Sequence, residues 1–147
     1  MSIGQKAGRK EIETFLPHRD PFLFVDEVTI TGPDTIRGVR TWKESEFFFP
    51  GHFPHYPIVP GVILIETMAQ AGGVGVKLMG ISAAGTFFLA GVNNVKFKRQ
   101  VRPGDVFEME ITNLRASPRV IKQKGVGYVQ GEIAIEAEWT CIVGAEQ

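Results

Sequence analysis

Pro60-Gly61-Val62-Ile63-Leu64-Ile65-Glu66-Thr67-Met68-Ala69-Gln70-Ala71-Gly72-Gly73-Val74-Gly75-Val76-Lys77-Leu78-Met79 is the stretch that decides the architecture. Pro60 or Gly61 suits a helix start, because the first turn tolerates proline. Val62, Ile63, Leu64, Ile65, Met68, Ala69, Ala71, Val74 and Val76 then occupy every face. A helix apolar all round is buried all round. Gly72, Gly73 and Gly75 each cost roughly 1 kcal/mol against alanine in a helix interior. Their expected compensation is close approach of another backbone, or an early frayed end.

Outward from this helix the chain reads as strands. On the N-terminal side, Ile12, Phe15 and Leu16 fit a short helix over Glu11 to Leu16, ended by Pro17. Pro21 to Ile30 reads as a strand, Gly32-Pro33-Asp34 as a turn, and Thr35 to Trp42 as a second strand. Glu46 to Pro60 is a stiff, irregular loop. Phe47-Phe48-Phe49 leads into it, Pro50, Gly51, Pro54, Pro57 and Pro60 punctuate it, and His52 and His55 sit inside. On the C-terminal side four strand runs follow: Phe87 to Lys98, Asp105 to Leu114, Val120 to Val129 and Glu132 to Val143. Short breaks at Arg102-Pro103-Gly104, Ala116-Ser117-Pro118 and Gln130-Gly131 predict antiparallel neighbours. A helix that cannot face water, beside a sheet long enough to curl, predicts an α+β fold: an antiparallel sheet wrapped around a long central helix. One domain over 1–147 is expected, with residues 1–10 as a flexible end.

Composition narrows the function. The chain has 147 residues, 44% hydrophobic and 22% charged, and 16 Lys+Arg balance 16 Asp+Glu. That balance offers nucleic acid no strongly basic face and includes no acidic tail. Cys141 is the single cysteine, so no intrachain disulfide forms. No Cys/His set has zinc spacing, and no metal is expected. Glu66 and Gln70 interrupt the most apolar stretch well short of the roughly 18 residues of a membrane span. The first residues lack the apolar core of a signal peptide, so the expected compartment is the cytoplasm.

One residue breaks the pattern. Glu66 is the only acid from His52 through Val76. An unpaired buried carboxylate costs several kcal/mol, so it must be paired, hydrogen-bonded or protonated. Burial raises a carboxyl pKa, which suits a proton donor near neutral pH. Gln70, at i+4, is within reach of a carboxyl oxygen. His52, on the stiff loop, supplies the other half of an acid/base pair if both converge on an apolar cavity. Gly61 offers a free N–H at the positive end of the helix, suited to a carbonyl oxygen gaining charge.

At these residues a resemblance becomes specific. Gly51-His52-Phe53-Pro54, Pro57-Ile58-Val59-Pro60-Gly61-Val62 and Glu66-Thr67-Met68-Ala69-Gln70 resemble the beta-hydroxyacyl-acyl-carrier-protein dehydratases of bacterial fatty acid synthesis. Leu16-Pro17-His18-Arg19, Pro21-Phe22-Leu23 and Val25-Asp26 resemble the opening of that family. Val95-Lys96-Phe97 and Val101-Arg102-Pro103-Gly104-Asp105 resemble a later block. The resemblance implies the hotdog fold, no cofactor, and dehydration of a (3R)-hydroxyacyl-acyl carrier protein to the trans-2-enoyl thioester. It implies His52 as base, Glu66 as acid and the Gly61 N–H on the thioester carbonyl. It further implies that the two groups come from different chains of a homodimer, three of which form a hexamer. Gln70, Phe87 and Phe88 are expected on the substrate side, with Phe87, Phe88 and Leu89 joining the helix in lining the acyl tunnel.

Glu66 stands where relatives that also isomerise the double bond usually carry Asp, which favours dehydration alone. Glu27, His55-Tyr56 and Val59 depart from the family pattern without touching the proposed chemistry. A thioesterase using Glu66 to activate water and a silent acyl-binding subunit are the competing readings. The presence of His52 argues against the first, and the presence of both groups against the second. His18 and Arg19 are expected in turn or structural roles, His55 either at the site entrance or on an exposed loop, and Cys141 as a core thiol. Lys96, Lys98, Arg99 and Arg102 are candidates for steering an acidic carrier protein.

Overall fold

The computed structural model describes residues 3–81 and 85–144. It contains β1 (Lys6–Ala7), α1 (Arg9–Phe15), β2 (Glu27–Ile30), β3 (Thr35–Thr41), α2 (Gly61–Leu78), β4 (Thr86–Phe97), β5 (Val106–Ala116), β6 (Val120–Val129) and β7 (Glu132–Gly144). The strands form one antiparallel sheet in the order β1-β2-β3-β5-β6-β7-β4. Burial alternates along β3, β5 and β6, so one face is apolar and packs on α2. All of α2 is buried except Gly61, Val62, Glu66 and Lys77. The sheet wrapped around a long helix is the architecture read from the sequence.

The glycines of α2 are compensated differently from expectation. Side chains approach them, not backbone, and the helix does not fray there. An added Cβ at Gly72 would lie 2.1 Å from Gln123 Oε1, and one at Gly75 would lie 2.3 Å from Ile36 Cδ1. Gln123 reaches in because its amide is fully used. It accepts from Trp139 Nε1 at 3.0 Å and donates to Gly72 O at 3.2 Å and Asn113 Oδ1 at 2.8 Å. A buried polar side chain is tolerated when its bonding capacity is met.

Three further expectations need correction. The end expected to be flexible is ordered from within: Lys6–Ala7 pairs with β2, Ala7 is fully buried and α1 starts at Arg9; Met1 and Ser2 lie outside the described residues. The strand expected from Pro21 begins only at Glu27. Upstream of it, the Gln70 side chain replaces a neighbouring strand, accepting from the Phe24 N–H at 2.9 Å and donating to Phe22 O at 3.0 Å. Finally, β4 does not pair with β5 but with β7, at the sheet's far edge. The link 98–105 is no tight turn. Lys98 and Arg99 donate their N–H groups to Ala134 O, and Val101 O accepts from the Val59 N–H at 2.7 Å. The chain thus crosses the end of the sheet, past the start of α2, before β5 begins. The two-residue turn at Gln130-Gly131, both with positive φ, does join neighbours.

The loop before α2 is tied to the sheet by charge and by rings. Arg40, 5% exposed, holds Glu46 through both carboxylate oxygens at 2.9 and 2.7 Å and Asp26 at 3.1 Å. Phe24, Trp42, Phe47, Phe48 and Phe49 pack ring against ring beside it. Glu46 therefore fixes where the aromatic segment starts, and the aromatic segment fixes where His52 emerges.

Gly75→Ala tests the close packing of α2. Helix propensity alone would stabilise by about 1 kcal/mol. Overpacking against Ile36 costs about 1–3 kcal/mol and should win. A lower urea midpoint is expected, and the loss caused by Gly75→Ala should be smaller in an Ile36→Ala background than in wild type; a raised midpoint in the single variant contradicts the packing.

Candidate active site

His52 follows a single 3₁₀ turn, Phe49–Gly51, and its backbone N–H donates to Phe49 O at 3.4 Å. Its ring Nδ1 lies 3.0 Å from Ile58 O. A carbonyl only accepts, so Nδ1 carries the proton in the neutral ring and Nε2 is left with its lone pair. The next residue, Phe53, has φ of 56°, a left-handed conformation unusual for a bulky side chain. Backbone held this way is characteristic of functional loops. His52, Phe53, Gly61, Leu64, Phe97 and Gln100 are among the residues that line a cavity of about 420 Å³. Gly61 is needed here: an added Cβ would lie 2.6 Å from the Phe97 ring. As the first residue of α2, its N–H has no partner within the helix.

Glu66 lines a different and much smaller cavity, about 30 Å³, with Leu16, His18, Gln70, Phe87, Leu89 and Cys141. Helix geometry explains the separation. Five residues advance about 140° around an axis of about 3.6 residues per turn, so Gly61 and Glu66 point to different sides. Convergence of His52 and Glu66 on one cavity is therefore not met within the chain. The structure instead groups His52 with Gly61, and Glu66 with Gln70 and Phe87. Phe88 joins neither group: it is 58% exposed, on the opposite face of β4 from Phe87, because side chains alternate along a strand.

Gln70 is where the i+4 spacing predicts, its Nε2 donating to Glu66 Oε2 at 2.9 Å. His18 was not expected there. Its Nε2 lies 3.5 Å from the same oxygen, and the two side chains are 24% and 22% exposed. No periodicity links residue 18 to residue 66; only its place in the Leu16-Pro17-His18-Arg19 block hinted at a role. Arg19 does keep a structural role, donating to Leu16 O, His18 O and Glu13 O at the end of α1. His55 is exposed on the loop.

Burial pulls the His18 ring below its usual pKa of 6.5, with Arg19 adding to the drop and Glu66 opposing it. The Cys141 thiol, 6% exposed, is pushed up to about 11, by burial first and by Glu66 second. It is thus protonated at neutral pH. Two of the four residues of the basic run have acidic partners: Lys98 pairs with Glu136 at 3.1 Å and Arg99 with Glu132 at 3.0 Å. Arg102 stacks over the Tyr56 ring at 4.3 Å and bonds its hydroxyl, which ties the 98–105 link to the His52 loop.

The side of β4 not paired with β7 is a sheet edge. Around it Phe88, Leu89, Val92 and Phe97 are 58%, 41%, 38% and 57% exposed, and Val62 on α2 is 73% exposed. Long apolar edges are templates for pairing with another chain. Leu89 belongs both to this exposed set and to the lining of the Glu66 cavity. Among the described residues no helix is long and apolar enough to cross a membrane.

Residues 16–138 match the family model described as a FabA-like domain. The chain is 44% identical over 135 residues to the 3-hydroxyacyl-[acyl-carrier-protein] dehydratase FabZ of Aromatoleum aromaticum, covering 89% of this chain and 93% of that protein. It is 40% identical over 136 residues to the protein of the same name from Bacillus velezensis, covering 92% and 96%. Among solved structures, the dehydratase heterocomplex ApeI:P from Xenorhabdus doucetiae superposes with TM-score 0.76 at 18% identity, covering 92% of this chain and 91% of that one. A hypothetical thioesterase with coenzyme A from Streptococcus pneumoniae superposes with TM-score 0.58 at 12% identity, covering 78% and 81%. These structural likenesses place the chain in the hotdog fold.

The His18 shift makes a stability prediction. The unfolded chain takes up this proton near pH 6.5, whereas the folded chain resists it. Stability is therefore full above pH 6.5 and falls as pH drops toward the lowered folded pKa. Thermal melts at about pH 7.5 and 5.5 should show a larger acid loss in wild type than in His18→Gln, which cannot titrate. Equal losses would contradict the shift.

Proposed function

The chain belongs to the FabA-like family and, within it, to the 3-hydroxyacyl-[acyl-carrier-protein] dehydratases, and on that footing we propose how it eliminates water from a (3R)-hydroxyacyl thioester. The observation that carries the chemistry is the His52 Nδ1 contact with Ile58 O, which leaves Nε2 free to act as base. His52 Nε2 removes a proton from C2 of the 3-hydroxyacyl chain. Charge developing on the thioester oxygen is met by the Gly61 N–H, in the same cavity as His52. Glu66 gives its proton to the departing 3-hydroxyl. The C3–O bond breaks, C2=C3 forms as the trans-2-enoyl product, and water leaves. Return of the proton from His52 to Glu66 resets the pair.

This reading needs both groups at one substrate, and in the single chain they face different cavities. A second copy paired at the β4 edge supplies what is missing. It would cover the apolar side chains around that edge, and it would bring a partner Glu66 cavity, which Leu89 joins to the edge, toward His52. Three dimers forming a hexamer is the larger assembly to test by light scattering. The substrate arrives on acyl carrier protein in the cytoplasm, and Lys98 and Arg99 line the His52 cavity. Phe87 lines the acid end, and Phe88 is assigned to the dimer surface rather than to the acyl tunnel.

His52→Ala and Glu66→Gln should each lower turnover by roughly 10²–10⁴-fold, the usual worth of a positioned acid or base. Enoyl absorbance measured with a 3-hydroxyacyl thioester checks this, and release of free thiol instead would identify a thioesterase. Mixed dimers of the two variants have one intact site and one with neither group, so co-expressed heterodimers should recover up to about half of wild-type activity. Absence of recovery, with heterodimers verified by mass spectrometry, would overturn the shared site.

A further inference from the structure

Two donors converge on one oxygen of Glu66. Gln70 is 3% exposed, and its amide cannot be turned over: Oε1 accepts from the Phe24 N–H at 2.9 Å, so Nε2 must point the other way. One Nε2 hydrogen goes to Phe22 O at 3.0 Å and the other to Glu66 Oε2 at 2.9 Å. Gln70 therefore meets Oε2 only as a donor. His18 Nε2 stands 3.5 Å from the same Oε2, at the long limit of a hydrogen bond, as catalytic contacts often are before substrate binds. The other ring nitrogen of His18, Nδ1, is buried and has no hydrogen-bond partner among the described residues. A proton on Nδ1 would point at no acceptor, whereas one on Nε2 points at a carboxyl oxygen. The neutral ring is thus best satisfied as the Nε2–H tautomer.

We propose that His18 is a positioning residue for the acid: as an Nε2–H donor it acts with Gln70 on Glu66 Oε2, so that the transferable proton of Glu66 resides on Oε1. A proton on Oε2 would face two donors and no acceptor. The carboxyl is thereby oriented before substrate binds, with one oxygen anchored to the protein and the other assigned to the leaving hydroxyl. The inference rests on the reading of Glu66 as the acid. The groups around His18 are Glu66 on α2, Cys141 on β7 and Arg19 beside it in the chain. Neither Cys141 nor Arg19 offers an acceptor that would draw the proton to Nδ1.

Nitrogen-15 NMR of the imidazoles in the full chain at about pH 7.5, above the usual histidine pKa, reads the tautomer directly. His18 is expected to carry its proton on Nε2; an Nδ1–H ring would overturn the proposal. Activity supplies the second arm. His18→Leu should lower kcat by roughly 10–100-fold, the worth of one hydrogen bond to a carboxyl that becomes charged as it gives up its proton, with little change in KM. His18→Gln places an amide N–H near the Nε2 position and should restore most of the loss. Gln no better than Leu, or an unchanged kcat in His18→Leu while Glu66→Gln is inactive, overturns the role of His18 alone. Normal turnover by Glu66→Gln overturns the acid assignment, and the role of His18 with it.

Discussion

Covering an 18-residue helix with almost no polar face is the constraint on which the rest of the structure depends. At about 25 cal/mol for each Å² of apolar surface removed from water, such a helix is stable only when enclosed. One curled sheet does most of the enclosing, and α1 and the aromatic loop close the gaps. The glycines of α2 follow from the same demand. They cost helix propensity, but they let Ile36 and Gln123 seat against the helix axis, where any Cβ would collide. Close packing thus outweighs local preference at these positions.

Enclosure creates a polar problem, and two glutamines answer it. Gln123, on β6, links β5, β7 and α2 through Asn113, Trp139 and the Gly72 carbonyl. Gln70 links α2 to the irregular segment before β2 through the backbone of Phe22 and Phe24. In both cases one end of the amide is committed by a donor that cannot move. The other end is then forced to donate. At Gln70 that forced donation falls on Glu66, so the element that completes the core also orients the one carboxyl on the helix.

The same enclosure is incomplete along β4. The connection after this strand crosses the sheet end and leaves β4 outermost, with apolar side chains in water. Helix geometry meanwhile points Gly61 and Glu66 to different sides of α2. On the proposed reading, an open apolar edge and a divided set of candidate groups share one remedy, a second copy at that edge. Assembly and chemistry then become parts of a single requirement.

The helix, the strand runs and the α+β architecture were legible in the sequence because hydrophobic period is a local property that burial reads directly. His52, Gly61, Glu66 and Gln70 were legible as candidates, since each stands out against its neighbours: a histidine in a proline-rich loop, a glycine at a helix start, a lone acid on an apolar helix and its i+4 amide. Tertiary structure alone decided the rest. It set β4 beside β7, turned Phe88 away from Phe87, replaced half of an expected strand by contacts to a side chain, and brought His18 to Glu66 across most of the N-terminal half of the chain. The physical reason is the same in each case. Periodicity tells a residue whether it is buried, but which group it meets depends on the path of distant segments around the helix, and no spacing along the chain encodes that path.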